Sequence, residues 1–184
     1  MKNRGVPTVA LARARPLARL CGRLRAIDAL TLGAIAAVVL VVSLPRLRDF
    51  ALRENEADAL RLTGRLADVV RAAEPGVRRA DLRELIGLAP ALSRQLDDAE
   101  FLDDGRCLRR HGYLFAAVAE DAAAAGDLWI AAWPWKHGRT GRVAFAWTAE
   151  LGLVGHPNAD GAFSGVAARP PRPDAAWRRI ARAR

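Results

Sequence analysis

Cysteine is scarce in this chain, which has two cysteines among 184 residues, Cys21 and Cys107. A long apolar run separates them, so we expect them on opposite sides of a membrane with no disulfide between them. Cys21 also lacks the preceding apolar segment and the small residue of a lipidation signal, which argues against a lipid anchor. Cys107 and His111 are residue types that ligate zinc, but the remaining histidines do not have the spacing of a second ligand pair. The sequence therefore predicts neither a disulfide framework nor a zinc centre.

Signatures of catalysis and of cofactor binding are lacking too. The turn at 138–141 has two glycines but not the lysine that follows in a phosphate-binding loop. Thr148 and Ser164 are not set in a motif that makes a hydroxyl nucleophilic. The acidic residues of 97–104 lack the regular spacing of an EF-hand loop, although their carboxylates leave calcium binding open. We expect a protein that is not an enzyme and that carries no cofactor.

Acidic residues are nearly absent from the two ends of the chain, and this locates the formal net charge of +9. Residues 1–25 contain seven basic residues and no acid, and residues 169–184 contain six arginines and one acid. Residues 45–168 contain 16 basic and 18 acidic residues, so this region is close to neutral. Basic ends favour contact with anionic lipid over a nucleic-acid-binding face, and nucleic acid is therefore not expected as a partner.

A long apolar run covers residues 29–44, ALTLGAIAAVVLVVSL, and contains no charge. As a helix its 16 residues span about 24 Å, and adding Ala26 and Ile27 brings the length closer to the roughly 30 Å hydrocarbon core of a bilayer. We predict a transmembrane anchor at 26–45 that follows a basic cytoplasmic leader at 1–25, because the positive flank stays inside. The alternative is a signal peptide cleaved after 41–43, which the length of the leader argues against.

The sequence after Pro45 predicts an amphipathic helix over 46–73, rich in strong helix formers. One of its faces is apolar, and that face comprises Leu52, Ala59, Leu62, Leu66, Val69, Val70 and Ala73. Two short helices are predicted over 79–88 and within 91–101.

From Gly112 onward the apolar period changes to two, which is typical of strands. Strands are predicted at 112–118, 127–133 and 142–149, with a short edge strand at 151–154. The fold class is therefore α+β. A transmembrane helix continues into a long amphipathic helix, which packs on an antiparallel sheet of three or four strands.

The folded domain is predicted to cover 46–165, and residues 166–184 form a proline- and arginine-rich tail. For this tail we favour solvated disorder over a surface helix around Trp177. The tryptophans of the predicted strands are expected in the core. The aromatic and basic turn at 133–137 is the exception, and it is the candidate partner surface. Its members are Trp133, Trp135, Lys136 and His137.

The order of these parts resembles the type IV pilin and pseudopilin family. Short motifs carry the resemblance over about residues 27–165, and they are Asn55-Glu56-Ala57, Gly112-Tyr113-Leu114-Phe115, Ala132-Trp133-Pro134, and Gly138-Arg139-Thr140-Gly141 followed by Phe145. The resemblance implies a long helix covered by a small antiparallel sheet, and a place in a pilus-like or secretion assembly. It departs before the apolar run, where Arg25-Ala26-Ile27-Asp28 replaces the Gly-Phe-Thr of cleavable prepilins. Cleavage and polymerisation are therefore not implied.

We expect a single-pass protein of the inner membrane with a pilin-like domain in the periplasm or outside the cell. Its partners are the lipid bilayer and other proteins, which it meets through the anchor and the amphipathic helix. The alternative is a membrane-tethered ligand-binding or sensing module of the cell envelope, which binds a small ligand or peptidoglycan at the turn 133–137. A third hypothesis is nucleic-acid binding through the arginine-rich ends.

Overall fold

The computed structural model describes residues 15–73, 81–119 and 128–180. The leader up to residue 14, the predicted helix end at 74–76, the turn at 120–126 and the last four residues lie outside these ranges. The helices of the described ranges are α1 (Arg15–Ala72), α2 (Leu82–Gly87) and α3 (Pro90–Gln95). The strands of these ranges are β1 (Glu100–Leu102), β2 (Cys107–Arg110), β3 (Tyr113–Ala119), β4 (Leu128–Pro134), β5 (Ala144–Thr148), β6 (Gly152–His156) and β7 (Arg178–Arg179).

The chain divides into two compact units, Met1–Leu47 and Arg48–Arg184. Helix α1 contains a segment near the N-terminus that is long and apolar enough to cross a membrane, with a mean hydropathy of 2.4. None of this segment is buried, and Leu30 and Val41 are 74% and 67% exposed. An apolar surface of this kind is unfavourable in water and stable in hydrocarbon. The segment is a candidate membrane span at the position predicted for the anchor.

In the second unit, α1 buries one face, as the amphipathic pattern predicts. Leu66 is fully buried, and Ala59 and Leu62 are 1% and 2% exposed. Thr63 lies on the same face, where its hydroxyl donates to the carbonyl of Ala59 at 2.8 Å. Because this hydrogen bond satisfies the hydroxyl, the buried face contains no unpaired polar group at this position. The predicted amphipathic helix is confirmed.

The short helices also lie where they were predicted. Helix α2 begins after Asp81, whose carboxylate accepts from the amide of Glu84 at 2.9 Å and so caps the helix. Leu82, Leu85 and Ile86 turn inward from α2. Helix α3 has Pro90 in its first turn, where the missing N–H costs nothing.

The sheet is an antiparallel meander in which β1 to β7 pair in chain order. The strands predicted at 112–118, 127–133, 142–149 and 151–154 are present as β3 to β6. The predicted total of three or four strands is wrong, because β1 and β2 precede them and β7 follows. These three additional strands are two to four residues long and rich in charge, so they lack the alternation by which strands are predicted.

Both faces of the sheet are buried, in two separate apolar clusters. In β5, Phe145 and Trp147 pack with the helices, while Ala144 and Ala146 point to the second cluster. The second cluster is closed by residues that follow β6, including Phe163 and Trp177. A central strand buried on both sides is therefore almost entirely apolar, as β4 is throughout and β5 is up to its last residue, Thr148.

The prediction of a solvated, disordered tail is wrong for residues 166–180. Trp177 is only 7% exposed, and Pro170 and Pro173 are buried. β7 pairs with β6, where Arg179 lies opposite Val154. The physical reason is the second face of the sheet, whose alanines leave a shallow apolar surface that a large side chain can cover. Trp177 supplies this cover.

Candidate functional site

The loop between β4 and β5, residues 135–143, is held by several hydrogen bonds within itself and to other elements. Within it, the amide of Gly138 donates to the carbonyl of Gly141 at 2.8 Å, and Gly138 has a positive φ of 70°. The hydroxyl of Thr140 accepts from the amide of Lys136 at 3.0 Å. These bonds close the loop on itself, so contacts within the loop stabilise its conformation in addition to the contacts with the helix.

Three side chains of α1 hold this loop from one side. The Asn55 side-chain amide donates to the Thr140 carbonyl at 3.0 Å, and the Glu56 carboxylate accepts from the Arg142 amide at 2.8 Å. About two turns earlier on the helix, the Arg48 guanidinium donates to the carbonyl of Gly138 at 2.7 Å. Two motifs that carry the family resemblance, at 55–57 and 138–141, therefore meet in space.

Tyr113 supports the loop from beneath. It is fully buried, and its hydroxyl donates to the carbonyl of Val143 at 2.8 Å. Burial, with the charge of Glu56 adding to it, raises the pKa of Tyr113 above its ordinary value, so the phenol stays a donor at neutral pH. A Cβ placed on Gly141 lies 2.2 Å from the Tyr113 hydroxyl oxygen. Glycine at 141 is therefore required for the close approach of the loop to the ring.

The candidate partner surface of 133–137 divides between the core and the solvent. Trp133 is 1% exposed, and its indole N–H donates to the carbonyl of Gly165 at 2.8 Å, so this side chain is a core residue. Trp135 is half-buried, with the Arg109 guanidinium 5.2 Å from its ring centroid. Lys136 is exposed. The partner surface stays a prediction. Trp133 could support that surface from the core, but its buried side chain does not reach a partner.

His137 lies between these two environments. Its ring is half-buried, and its backbone amide donates to the Ser164 hydroxyl at 3.0 Å. The ring packs at the position of Gly161, where a Cβ would lie 3.0 Å from His137 Nδ1. The β4–β5 loop is thus tied to the segment that follows β6 as well as to α1.

An ion-pair cluster that the sequence does not reveal joins α1 to the turns before β1 and after β2. The carboxylate of Asp58 contacts Arg110 at 3.2 Å and His111 Nδ1 at 2.9 Å. The carboxylate of Asp98 contacts Arg110 Nε at 2.9 Å and His111 Nε2 at 2.8 Å. Burial opposes ionisation of Asp98, but the hydrogen bond and charge of Arg110 and the charge of His111 outweigh it, so the pKa of Asp98 is lowered.

Cys107 and His111 occupy different surroundings. Cys107 is buried in the second apolar cluster, whereas His111 is held by two carboxylates at the surface. Burial raises the pKa of the Cys107 thiol to about 11, so the thiol is protonated at neutral pH. Among the described residues, no group of three or more His, Cys, Asp and Glu side chains is suited to hold a metal ion.

Comparison with known proteins adds no further assignment. No family model, curated protein or solved structure matches the chain.

Proposed function

We propose that this protein is a non-enzymatic, single-pass protein of the inner membrane and a component of a pilus-like or secretion assembly. Its N-terminus lies in the cytoplasm, and the domain that begins at Arg48 is a pilin-like extracytoplasmic domain. The anchor positions this domain at the membrane, and the outward face of α1 binds neighbouring proteins. The protein then functions through packing between subunits and not through catalysis.

The contrast along α1 is the observation that carries this proposal. The candidate membrane span is not buried at all, while the same helix is fully buried at Leu66 beneath the sheet. An apolar helix segment that packs against no other part of its own chain is more stable in lipid or against other helices than in water. The seven basic residues that precede the apolar run favour a cytoplasmic N-terminus.

The contact between residues 55–57 and the β4–β5 loop supports the pilin-like part of the proposal. In this contact Asn55 and Glu56 bind backbone atoms of Thr140 and Arg142, so their side chains fix the loop without depending on its side chains. Ala57, the third residue of the motif, is exposed on the outer side of the helix. A small residue on that side permits close approach of another helix.

Crosslinking from α1 tests whether this outer side binds neighbours in the cell. A photoreactive amino acid is placed at Ala57 of the full chain, and Ala59, which is 1% exposed, is the matched position for the control. We expect Ala57 to give adducts with pilin-type or secretion proteins, and Ala59 to give none. Absence of adducts at Ala57, or equal adducts at both positions, would contradict the proposal.

The alternative, a membrane-tethered ligand-binding or sensing module, stays a prediction with its own test. Peptidoglycan fragments are added to the full chain in detergent, and thermal unfolding is followed. A rise in unfolding temperature that is lost in Trp135→Ala would support ligand binding at this turn and weigh against a purely packing role.

A further inference from the structure

We propose that the β4–β5 loop binds anionic phospholipid headgroups through Lys136, Arg139 and Arg142, together with Arg48 of α1. This inference rests on the proposed function, because it takes α1 as a membrane anchor. It adds a second membrane contact, made by the folded domain, that the anchor alone does not imply.

The charge of this surface is positive after its own acids are counted. Arg142 is 3.4 Å from the carboxylate of Asp49, and Glu56 accepts from the Arg142 backbone amide. Arg48 donates to a neutral carbonyl, so its charge is not compensated there. Four cations and two carboxylates leave a net charge of +2 on this surface.

Two of the cations are available for a ligand. Lys136 and Arg139 are exposed, and neither forms an ion pair with any residue of the described ranges. Their backbones are fixed, since the amides of Arg139 and Thr140 both donate to the carbonyl of Lys136 at 3.0 and 2.9 Å. A rigid loop loses little conformational entropy when its side chains bind, which favours association.

Chain connectivity limits how far this loop can lie from the end of the apolar run. Arg48 follows the last residue of the apolar run, Leu44, by four residues, and four residues span at most about 14 Å even when extended. The hydrogen bond from Arg48 to Gly138 fixes the loop to this point of the chain. The distance is close to the range of about 8–10 Å over which charges act in physiological salt.

The form of the surface favours lipid over a free anion. Lys136, Arg139 and Arg142 are all exposed, so each can meet an extended charged surface from solvent. Free phosphate binding requires donors that converge on one point, whereas a membrane surface attracts separate cations additively. The partner is therefore the anionic headgroup layer of the bilayer in which α1 is anchored.

Hydrogen exchange of the full chain in lipid nanodiscs tests the inference. Nanodiscs of pure phosphatidylcholine are compared with nanodiscs that contain phosphatidylglycerol. We expect exchange of the amides of 136–142 to slow by about tenfold in the anionic discs, from the attraction of roughly two uncompensated cations to the surface. The protection should disappear at high salt. Equal exchange in both kinds of disc would overturn the inference.

Two charge reversals provide the matched comparison. Arg139→Glu reverses the charge of one of the three loop cations, and Arg94→Glu makes the same charge change on α3, where Arg94 is also exposed. We expect protection to be lost in R139E and kept in R94E. Unfolding temperatures show whether R139E folds, and if it does not, the milder Lys136→Gln takes its place. Equal protection in the loop variant and R94E would overturn the inference.

Two further controls distinguish failure of this inference from failure of the proposed function. Inorganic phosphate added to neutral discs should give no protection, and protection by phosphate alone would replace the lipid with a free anion. A chain that does not remain in the discs would contradict the proposed function. A chain that remains in them without loop protection would contradict this inference alone.

Discussion

Gly141 is the position where one missing side chain determines the fit of a whole loop. A Cβ there would lie 2.2 Å from the hydroxyl oxygen and 2.5 Å from two ring carbons of Tyr113. We expect Gly141→Ala to destabilise the domain by about 1–3 kcal/mol, because the buried ring must move. Chemical unfolding of the full chain in detergent measures this change.

Gly64 provides the control for that substitution. It lies inside α1, and a Cβ there meets nothing within 4 Å. Gly64→Ala should be neutral or should stabilise by up to about 1 kcal/mol, since alanine favours the helix. A G141A variant as stable as G64A would show that Tyr113 does not hold the loop in this way.

Asn55 and Glu56 show what sequence reasoning can find at a single residue and what it misses. Their presence in a short motif was visible, and so was the glycine-rich turn at 138–141. Their contact was not visible, because the atoms that they bind are the carbonyl of Thr140 and the amide of Arg142. Every residue has such backbone atoms, so no side-chain pattern indicates which of them the helix will meet.

Trp177 packs the segment after β6 onto the folded domain. This ring stacks on Phe163 with centroids 6.1 Å apart and lies 5.4 Å from the ring of His156. We expect Trp177→Ala to destabilise the domain by about 3–5 kcal/mol, because it opens the second apolar cluster. Arg178→Ala, at the exposed neighbouring position, should change the unfolding free energy by less than about 0.5 kcal/mol. A small effect of W177A on the unfolding free energy would instead support the prediction of a disordered tail.

The success of prediction differs between elements for a physical reason. Strands β3 to β5 have five to seven residues and bury both faces, so apolar and aromatic residues reveal them. β1 and β7 have three and two residues, too few to show a period, and each is placed by its pairing with one neighbouring strand. The terminal segment looked disordered because proline and arginine dominate it, whereas its structure depends on one tryptophan and the face that this side chain covers.

The Asp98 cluster predicts a loss of stability in acid. The pKa of Asp98 is lowered from its ordinary 3.8 in the folded chain, so its ionised form stabilises the domain above that value. The contribution is lost as pH falls below 3.8 and through the lower pKa of the folded state. Asp98→Asn should therefore lower the unfolding temperature near pH 6, and the difference from the parent should shrink as pH falls below 3.8 and vanish once Asp98 of the folded parent is protonated.

Asp97→Asn is the neighbouring control for this pH dependence. Asp97 is exposed and forms no ion pair within the described ranges, so its replacement should leave the curve unchanged. Asp98, by contrast, shares Arg110 and His111 with Asp58 of α1, and its neutralisation weakens the ion pairs that tie the turn before β1 to this cluster. A difference between D98N and the parent that persists unchanged into acid would show that the carboxylate charge is not responsible.

The molecule as a whole combines an uncovered apolar helix end with a domain that is covered on both sides of its sheet. Sequence alone located this division, since apolar residues without interruption and apolar residues at helical spacing are distinct patterns. The kind of membrane, the orientation in it and the partners depend on surroundings outside the chain. None of them produces a sequence pattern as direct as these two. The division itself makes a quantitative prediction about membrane retention.

Paired arginine substitutions on α1 test that prediction. Val38 and Val39 are 63% and 57% exposed in the middle of the apolar run, and Leu47 and Phe50 are 62% and 68% exposed beyond it. Arginine at both 38 and 39 should cost about 5–7 kcal/mol in the membrane centre, at roughly 2.5–3.5 kcal/mol for each residue. We expect this variant to leave the membrane fraction on carbonate extraction. The variant with arginine at 47 and 50 adds the same charge where headgroups and water are within reach, so it should remain in the membrane fraction. Loss of both variants, or retention of both, would contradict a span confined to the apolar run.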